Sequence, residues 1–337
     1  LDSILIEDAL LASDALMDVY ESNKGKDGYV SIDVFGPLSN AGAIIRKAKV
    51  FIAAINRPNV MLRIPASVAG IRAGEALASK GAAVYLTNIH TVERLNGALT
   101  ALANGLRKRP VTPAAGFPRL CVAGFCLNRI EAEVDSLIDE RAGKEPSEDR
   151  KARLLALRGQ SGLACGWLAH ETYREITGRG NPPLISPLTR GGLRLIWEGA
   201  SQTDFMESDV KFVKGLSDKG TICLMPRSLI SAFSGRGNPP LIHPLSRDGY
   251  ANVLNEMASL KIDLRKLGTA LENQGLKDAE RLHRDILKAI ESKRRPVSGR
   301  ALVQGFDLGA SAGVVAQSLN SLENMMFAKR LLAKDSL

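Results

Sequence analysis

Short apolar runs rich in β-branched residues alternate along the chain with longer stretches whose apolar positions recur at helical spacing. Leu1–Ser22 reads as helix. Tyr29–Val34 (YVSIDV) is the first strand-like run, and a helical stretch from Asn40 to Ala54 follows it. The same pairing recurs with Val60–Pro65 (VMLRIP) before a helix over Ala69–Lys80, and with Ala83–Ile89 (AVYLTNI) before Thr91–Arg107. It recurs again with Leu120–Cys126 (LCVAGFC) before a helix around Ile130–Arg141. Gly162–Ala164 opens a further strand running into a helix over Gly166–Ile176, and Leu193–Gly199 and Thr221–Met225 complete the series. Strands separated by helices of about 10–15 residues predict βαβ units and a parallel sheet. Seven strands without a glycine-rich dinucleotide turn favour an α/β protein of the (β/α)8 TIM-barrel type over a doubly wound sheet. The strand needed to make eight would belong before Leu1.

Two features lie outside this alternation. Gly178–Arg190 (GRGNPPLISPLTR) and Gly235–Arg247 (GRGNPPLIHPLSR) are near-copies, each following a helix and each built from loop-forming Gly, Asn and Pro. Their arginines, Arg179, Arg190, Arg236 and Arg247, offer either an anion or partner site or a pair of structural loops of common ancestry. Residues 296–337 read as a separate tail after a barrel of residues 1–295. Arg294-Arg295-Pro296 closes the preceding helix by removing a backbone donor. Val314–Leu332 carries Val315, Leu319, Leu322 and Met326 on one face, an amphipathic helix that covers its own barrel or meets a protein partner or second copy.

Composition narrows the classes. The chain has 337 residues, 45% hydrophobic and 24% charged, as in ordinary globular proteins. No apolar run approaches the roughly 20 residues of a membrane span, so no membrane partner is expected. The net charge of +9 favours anionic ligands. With 5% aromatics and no recognition motif, nucleic acid is not among the expected partners. The four cysteines (Cys121, Cys126, Cys165, Cys223) form no CxxC pair and no disulfide framework, which points to a reducing, cytoplasmic compartment. His90, His170, His243 and His283 are scattered, so neither a metal site nor a cofactor is expected.

Asp27–Val34, Arg57–Gly70, Val84–Ile89 and Val122–Ile130 resemble, in order, the strand motifs of the transaldolase family. Leu157–Glu175, Trp197–Ser201, Thr221–Pro226 and Leu271–Arg295 continue the series. The ordered set is far more specific than any one motif. The resemblance implies a (β/α)8 barrel that transfers a dihydroxyacetone unit between sugar phosphates through a Schiff base on lysine. The lysine position is Arg63. A lysine amine can lose its proton and attack a carbonyl, whereas a guanidinium stays protonated with a pKa above ~12. The implied covalent step is therefore excluded here.

Further positions depart from the family pattern. The acid/base glutamate falls on Asp33, and the Asn-x-Thr of the next strand reads Tyr85-Leu86-Thr87, with Thr87 at the water-holding position. The Ser-x-x-x-x-Arg phosphate clamp reads Gly124–Arg129, and its second half keeps Ser201 but has Thr203 in place of a cation. Candidate catalytic residues are thus Asp33, Arg63, Tyr85 and Thr87, and candidate phosphate-binding residues are Arg129 and Ser201. Arg129 has a plainer reading as an arginine paired with Glu131 or Asp135 of its own helix, and Asp33–Arg63 as a salt bridge filling an idle mouth. Cys126 has no visible activator for use as a nucleophile. Two functions follow: a repurposed enzyme doing non-covalent acid/base chemistry on a carbonyl, polyhydroxy or phosphorylated small molecule, or a non-catalytic pseudoenzyme binding a sugar phosphate or a protein partner.

Overall fold

The computed structural model describes residues 1–36, 38–109, 117, 119–178, 192–199, 211–216, 220–235, 247–297 and 312–324. Its elements are α1 (Asp2–Ala15), α2 (Met17–Ser22), β1 (Val30–Asp33), α3 (Ala41–Ile55), β2 (Val60–Pro65), α4 (Val68–Ser79), β3 (Ala83–Ile89), α5 (Val92–Arg107) and β4 (Cys121–Cys126). There follow α6 (Asn128–Lys144), α7 (Glu148–Ala156), α8 (Ser161–Thr177), β5 (Leu193–Glu198), α9 (Lys211–Leu216), β6 (Thr221–Cys223), α10 (Arg227–Gly235), α11 (Arg247–Ser259), α12 (Leu264–Val297) and α13 (Ala312–Asn324). The chain divides into a compact unit of Leu1–Asp285 and a second of Ile286–Leu337.

The strands form one parallel sheet in the order β1-β2-β3-β4-β5-β6. Sequential parallel strands with intervening helices are consistent with a (β/α)8 barrel. The α3 sequence shows how one unit forms. Asn40 caps it by accepting from the Ala43 amide at 2.9 Å. Ile44, Ala48, Phe51 and Ile55 then make a buried stripe at helical spacing. Asn56 ends the helix in the left-handed region at φ 45°. Ser67 and Thr91 cap α4 and α5 in the same way. A Cβ on Gly70 would lie 1.9 Å from the Pro65 carbonyl oxygen, so only glycine lets α4 start this close to β2.

The sheet is buried on both faces. The outer face joins the helices in a large core containing Leu62, Ile64, Leu86, Phe125 and Trp197. The inner face is a smaller cluster of Met61, Ala83, Tyr85, Leu120, Val122 and Ile196. Burying a side chain such as Phe125 contributes roughly 1.5–3 kcal/mol.

Three expectations need correction. Gly162–Ala164 is no strand: it lies in α8, and the described sheet has six strands. Gly162 and the nearby Gly166 serve helix packing instead. A Cβ on Gly162 would sit 2.7 Å from the Phe212 ring, and one on Gly166 would sit 2.6 Å from Leu216 Cδ1. Leu1–Ser22 is two helices, broken at Leu16. Pro296 does not close α12 ahead of itself, because the helix continues through Val297. The tail helix is described over Ala312–Asn324. Among the described residues no helix is long and apolar enough to cross a membrane.

Candidate active site

Strand register brings Asp33, Arg63 and Tyr85 side by side, with Asp33 at the C-terminal end of β1, the end where barrel sites form. Asp33 of β1 pairs in register with Arg63 of β2, and Arg63 with Tyr85 of β3. Alternation along β3 puts Tyr85 and Thr87 on one face. Arg63 Nη1 lies 3.6 Å from Asp33 Oδ1, with the two side chains 36% and 43% exposed. The pair is open to the mouth and is not a sealed core contact. Burial raises the Asp33 carboxyl above its ordinary value, and the Arg63 charge partly offsets this. The Arg63 guanidinium also sits over the Tyr85 ring, 5.6 Å from its centroid.

The centre of the site is a residue that the motif comparison passed over. Glu198, at the end of β5, is 8% exposed. Its Oε1 accepts from the Tyr85 hydroxyl at 2.5 Å and from the Thr87 hydroxyl at 2.6 Å. Two hydroxyls on one carboxylate oxygen are charge-assisted bonds, about twice the strength of neutral ones. Gly124 makes room for them. A Cβ there would lie 2.2 Å from Glu198 Oε1 and 2.8 Å from Tyr85 Cε2. Burial pushes the Tyr85 phenol well above its usual range, and the Glu198 charge pushes it further, so Tyr85 is a proton-bearing hydroxyl. The β5 sequence carried a signal for this residue. Arg194, Ile196 and Glu198 alternate with the fully buried Leu195 and Trp197, which puts Glu198 on the inner face.

Cys126 pairs in register with Glu198. Burial, with Glu198 second, pushes its thiol up to about 12, so it is no thiolate nucleophile at neutral pH.

Arg129, at the start of α6, does not pair with Glu131 or Asp135. Its Nη2 lies 4.0 Å from Asp278 Oδ2 of α12. Glu131 is held by Lys211, and Asp135 accepts from the Gly159 amide at 2.9 Å. Asp278 also accepts from Arg281 at 2.8 Å. The β3–α5 turn is pinned by Glu272 of α12, whose Oε1 accepts from the His90 and Thr91 amides at 3.1 and 3.0 Å. Gly275 allows this approach, since a Cβ there would meet Asn88 Oδ1 at 2.0 Å. His90 is 3% exposed, and neither ring nitrogen has a hydrogen-bond partner among the described residues. Burial, then the Arg129 charge, lowers its pKa to about 4.

Ser201, Thr203 and residues 179–190 and 236–246 of the repeated loops lie outside the described residues. The structure thus brings together Asp33, Arg63, Tyr85 and Thr87, adds Glu198, and sets Arg129 on the adjacent α6 with a carboxylate neighbour. Among the described residues no group of three His, Cys, Asp or Glu side chains could hold a metal ion. The arrangement can bind an anion or carbonyl at Arg63, donate a proton from Tyr85 and accept one at Glu198. It has no neutral amine at residue 63.

A family model described as transaldolase/fructose-6-phosphate aldolase matches residues 1–290. A transaldolase of Trichodesmium erythraeum is 32% identical over 68% of this chain, which spans 61% of that protein's length. Transaldolase 1 of Streptomyces avermitilis is 30% identical over 86% of this chain and 75% of its own length. A transaldolase of Thiobacillus denitrificans is 28% identical over 86% of this chain and 79% of its own length.

Proposed function

The chain belongs to the transaldolase/fructose-6-phosphate aldolase family, and on that footing we propose that it works on a carbonyl or polyhydroxy small molecule, phosphorylated or otherwise anionic, by non-covalent acid/base catalysis. The observation that carries this reading is the pair of hydroxyl bonds from Tyr85 and Thr87 to the buried carboxylate of Glu198. Thr87 matches the family's water-holding threonine. The carboxylate that meets it comes from β5, while Asp33, at the family's acid/base position, pairs with Arg63 instead. The acid/base group has in effect changed strands.

Arg63 supports the same reading. An arginine cannot form an imine, but it binds anionic or carbonyl oxygen through a rigid fork of donors. Its Nε has no hydrogen-bond partner among the described residues. A buried carboxylate is costly to keep without use, since an ion taken out of water needs compensation. The pseudoenzyme reading draws on the Asp33–Arg63 pair as mouth filler, but that pair is only half-buried and its 3.6 Å contact is loose.

Calorimetric titration with fructose 6-phosphate and with dihydroxyacetone tests the proposal. Saturable binding of at least one is expected, weakened severalfold in Arg63→Met and in Tyr85→Phe. Binding by neither ligand, or affinity unchanged in both variants, would overturn it.

A further inference from the structure

Resting on the acid/base reading above, we infer that Glu198 and Tyr85 form a base–acid pair for moving a proton between adjacent carbons of an α-hydroxy carbonyl compound, the aldose–ketose class of isomerisation. The geometry narrows the reaction. Both hydroxyl donors fall on Glu198 Oε1. Oε2 meets no donor among the described residues and remains as the proton acceptor. The Tyr85 hydroxyl, on the same carboxylate, sits beside any group bound at Oε2. The Arg63 guanidinium over the Tyr85 ring supplies a fixed positive charge next to the phenol.

The chemistry balances without any added reagent. Glu198 Oε2 takes the proton from the carbon bearing the hydroxyl, next to the carbonyl. The C–H electron pair becomes the C=C bond of an enediol. The carbonyl π pair moves onto oxygen, which takes the Tyr85 proton while Arg63 offsets the developing charge. The neighbouring hydroxyl then gives its proton back to Tyr85 as its C–O bond becomes the new carbonyl. The enediol π pair takes the proton from Glu198 onto the former carbonyl carbon. Nothing is oxidised or reduced overall, and both protein groups end as they began.

Carbon–carbon cleavage asks more of a site. The departing carbanion needs an electron sink as strong as a protonated imine. Arg63 and Tyr85 supply hydrogen bonds and one fixed charge, which suit an enediolate. Gly124 fits the same account, because any side chain there would displace the carboxylate.

Solvent exchange reads the first half-reaction directly. Dihydroxyacetone, dihydroxyacetone phosphate and fructose 6-phosphate are incubated with the protein in D2O, and the carbon-bound protons are followed by NMR. The wild type should wash deuterium into at least one compound well above background. Glu198→Gln should lower the rate by about 100-fold or more, as for loss of a general base. Glu198→Ala should be partly rescued by added formate, which a merely structural carboxylate would not allow. Binding without exchange would overturn this inference and leave the proposed binding site standing. Binding of none of the three would remove both. Exchange that persists in Glu198→Gln, or that formate fails to restore in Glu198→Ala, would also overturn it.

Discussion

Acid should weaken this fold through His90 in a way that a single substitution isolates. The ring is 3% exposed, and both nitrogens lack hydrogen-bond partners among the described residues. Burial, and then Arg129, lowers its pKa from 6.5 to about 4. The unfolded chain therefore binds a proton at this residue between about pH 6.5 and 4, while the folded chain does not. Stability rises with pH wherever the unfolded state holds more protons, so this contribution is present above pH 6.5 and is lost as pH falls towards 4. A difference of about 2.5 pKa units at ~1.36 kcal/mol each gives a loss of about 3 kcal/mol. Urea unfolding at pH 7, 6, 5 and 4 measures it. His90→Leu keeps similar volume and removes the titrating ring. Other groups titrate equally in both proteins, so the variant should lose about 3 kcal/mol less than the wild type between pH 7 and 4. Parallel stability curves would refute the argument that this imidazole is held neutral by burial.

Arg63→Lys should not restore transaldolase activity with fructose 6-phosphate and erythrose 4-phosphate. Asp33, 3.6 Å from the present guanidinium, would favour the charged ammonium, and Tyr85 would still bond to Glu198. A coupled assay well above background for this single variant would mean that the centre is nearly intact. Titration with inorganic phosphate should show weaker binding in Arg129→Ala. Binding should be tighter by a few-fold in Asp278→Asn, which removes the competing carboxylate 4.0 Å away, and identical affinities in all three proteins would reject the site. Gly124→Ala should lower stability by roughly 2–4 kcal/mol, because the methyl displaces Glu198 from two charge-assisted hydrogen bonds. Calorimetric unfolding that matches the wild type would show that Glu198 has room to spare.

The parallel order of the sheet was legible because each strand is a short apolar run followed by its helix. Caps such as Asn40, Ser67 and Thr91 stand where the helical period begins. Gly162–Ala164 was misread because small apolar residues suit a buried strand and a tightly packed helix equally. Only the Phe212 and Leu216 side chains, distant in sequence, decide between them. Four of the site residues could be placed through the resemblance, since register follows from motif order. Glu198 was not, because the resemblance led to Asp33 and away from a carboxylate at the end of β5. Its meeting with Tyr85 and Thr87 depends on β3, β4 and β5 lying side by side with a glycine between. Arg129 was found, but its partner Asp278 lies on α12, well over a hundred residues away in the chain, and local charge spacing favoured Glu131 or Asp135.

Chemical trapping tests the central claim, that Arg63 has replaced the family's covalent step with a non-covalent one. The protein is reduced with borohydride in the presence of dihydroxyacetone or fructose 6-phosphate, digested, and mapped by mass spectrometry. No peptide, including the one that contains Arg63, should gain the mass of a reduced three- or six-carbon adduct. A stable adduct on that peptide, or on any lysine of the chain, would show that imine chemistry survives here and would contradict the account.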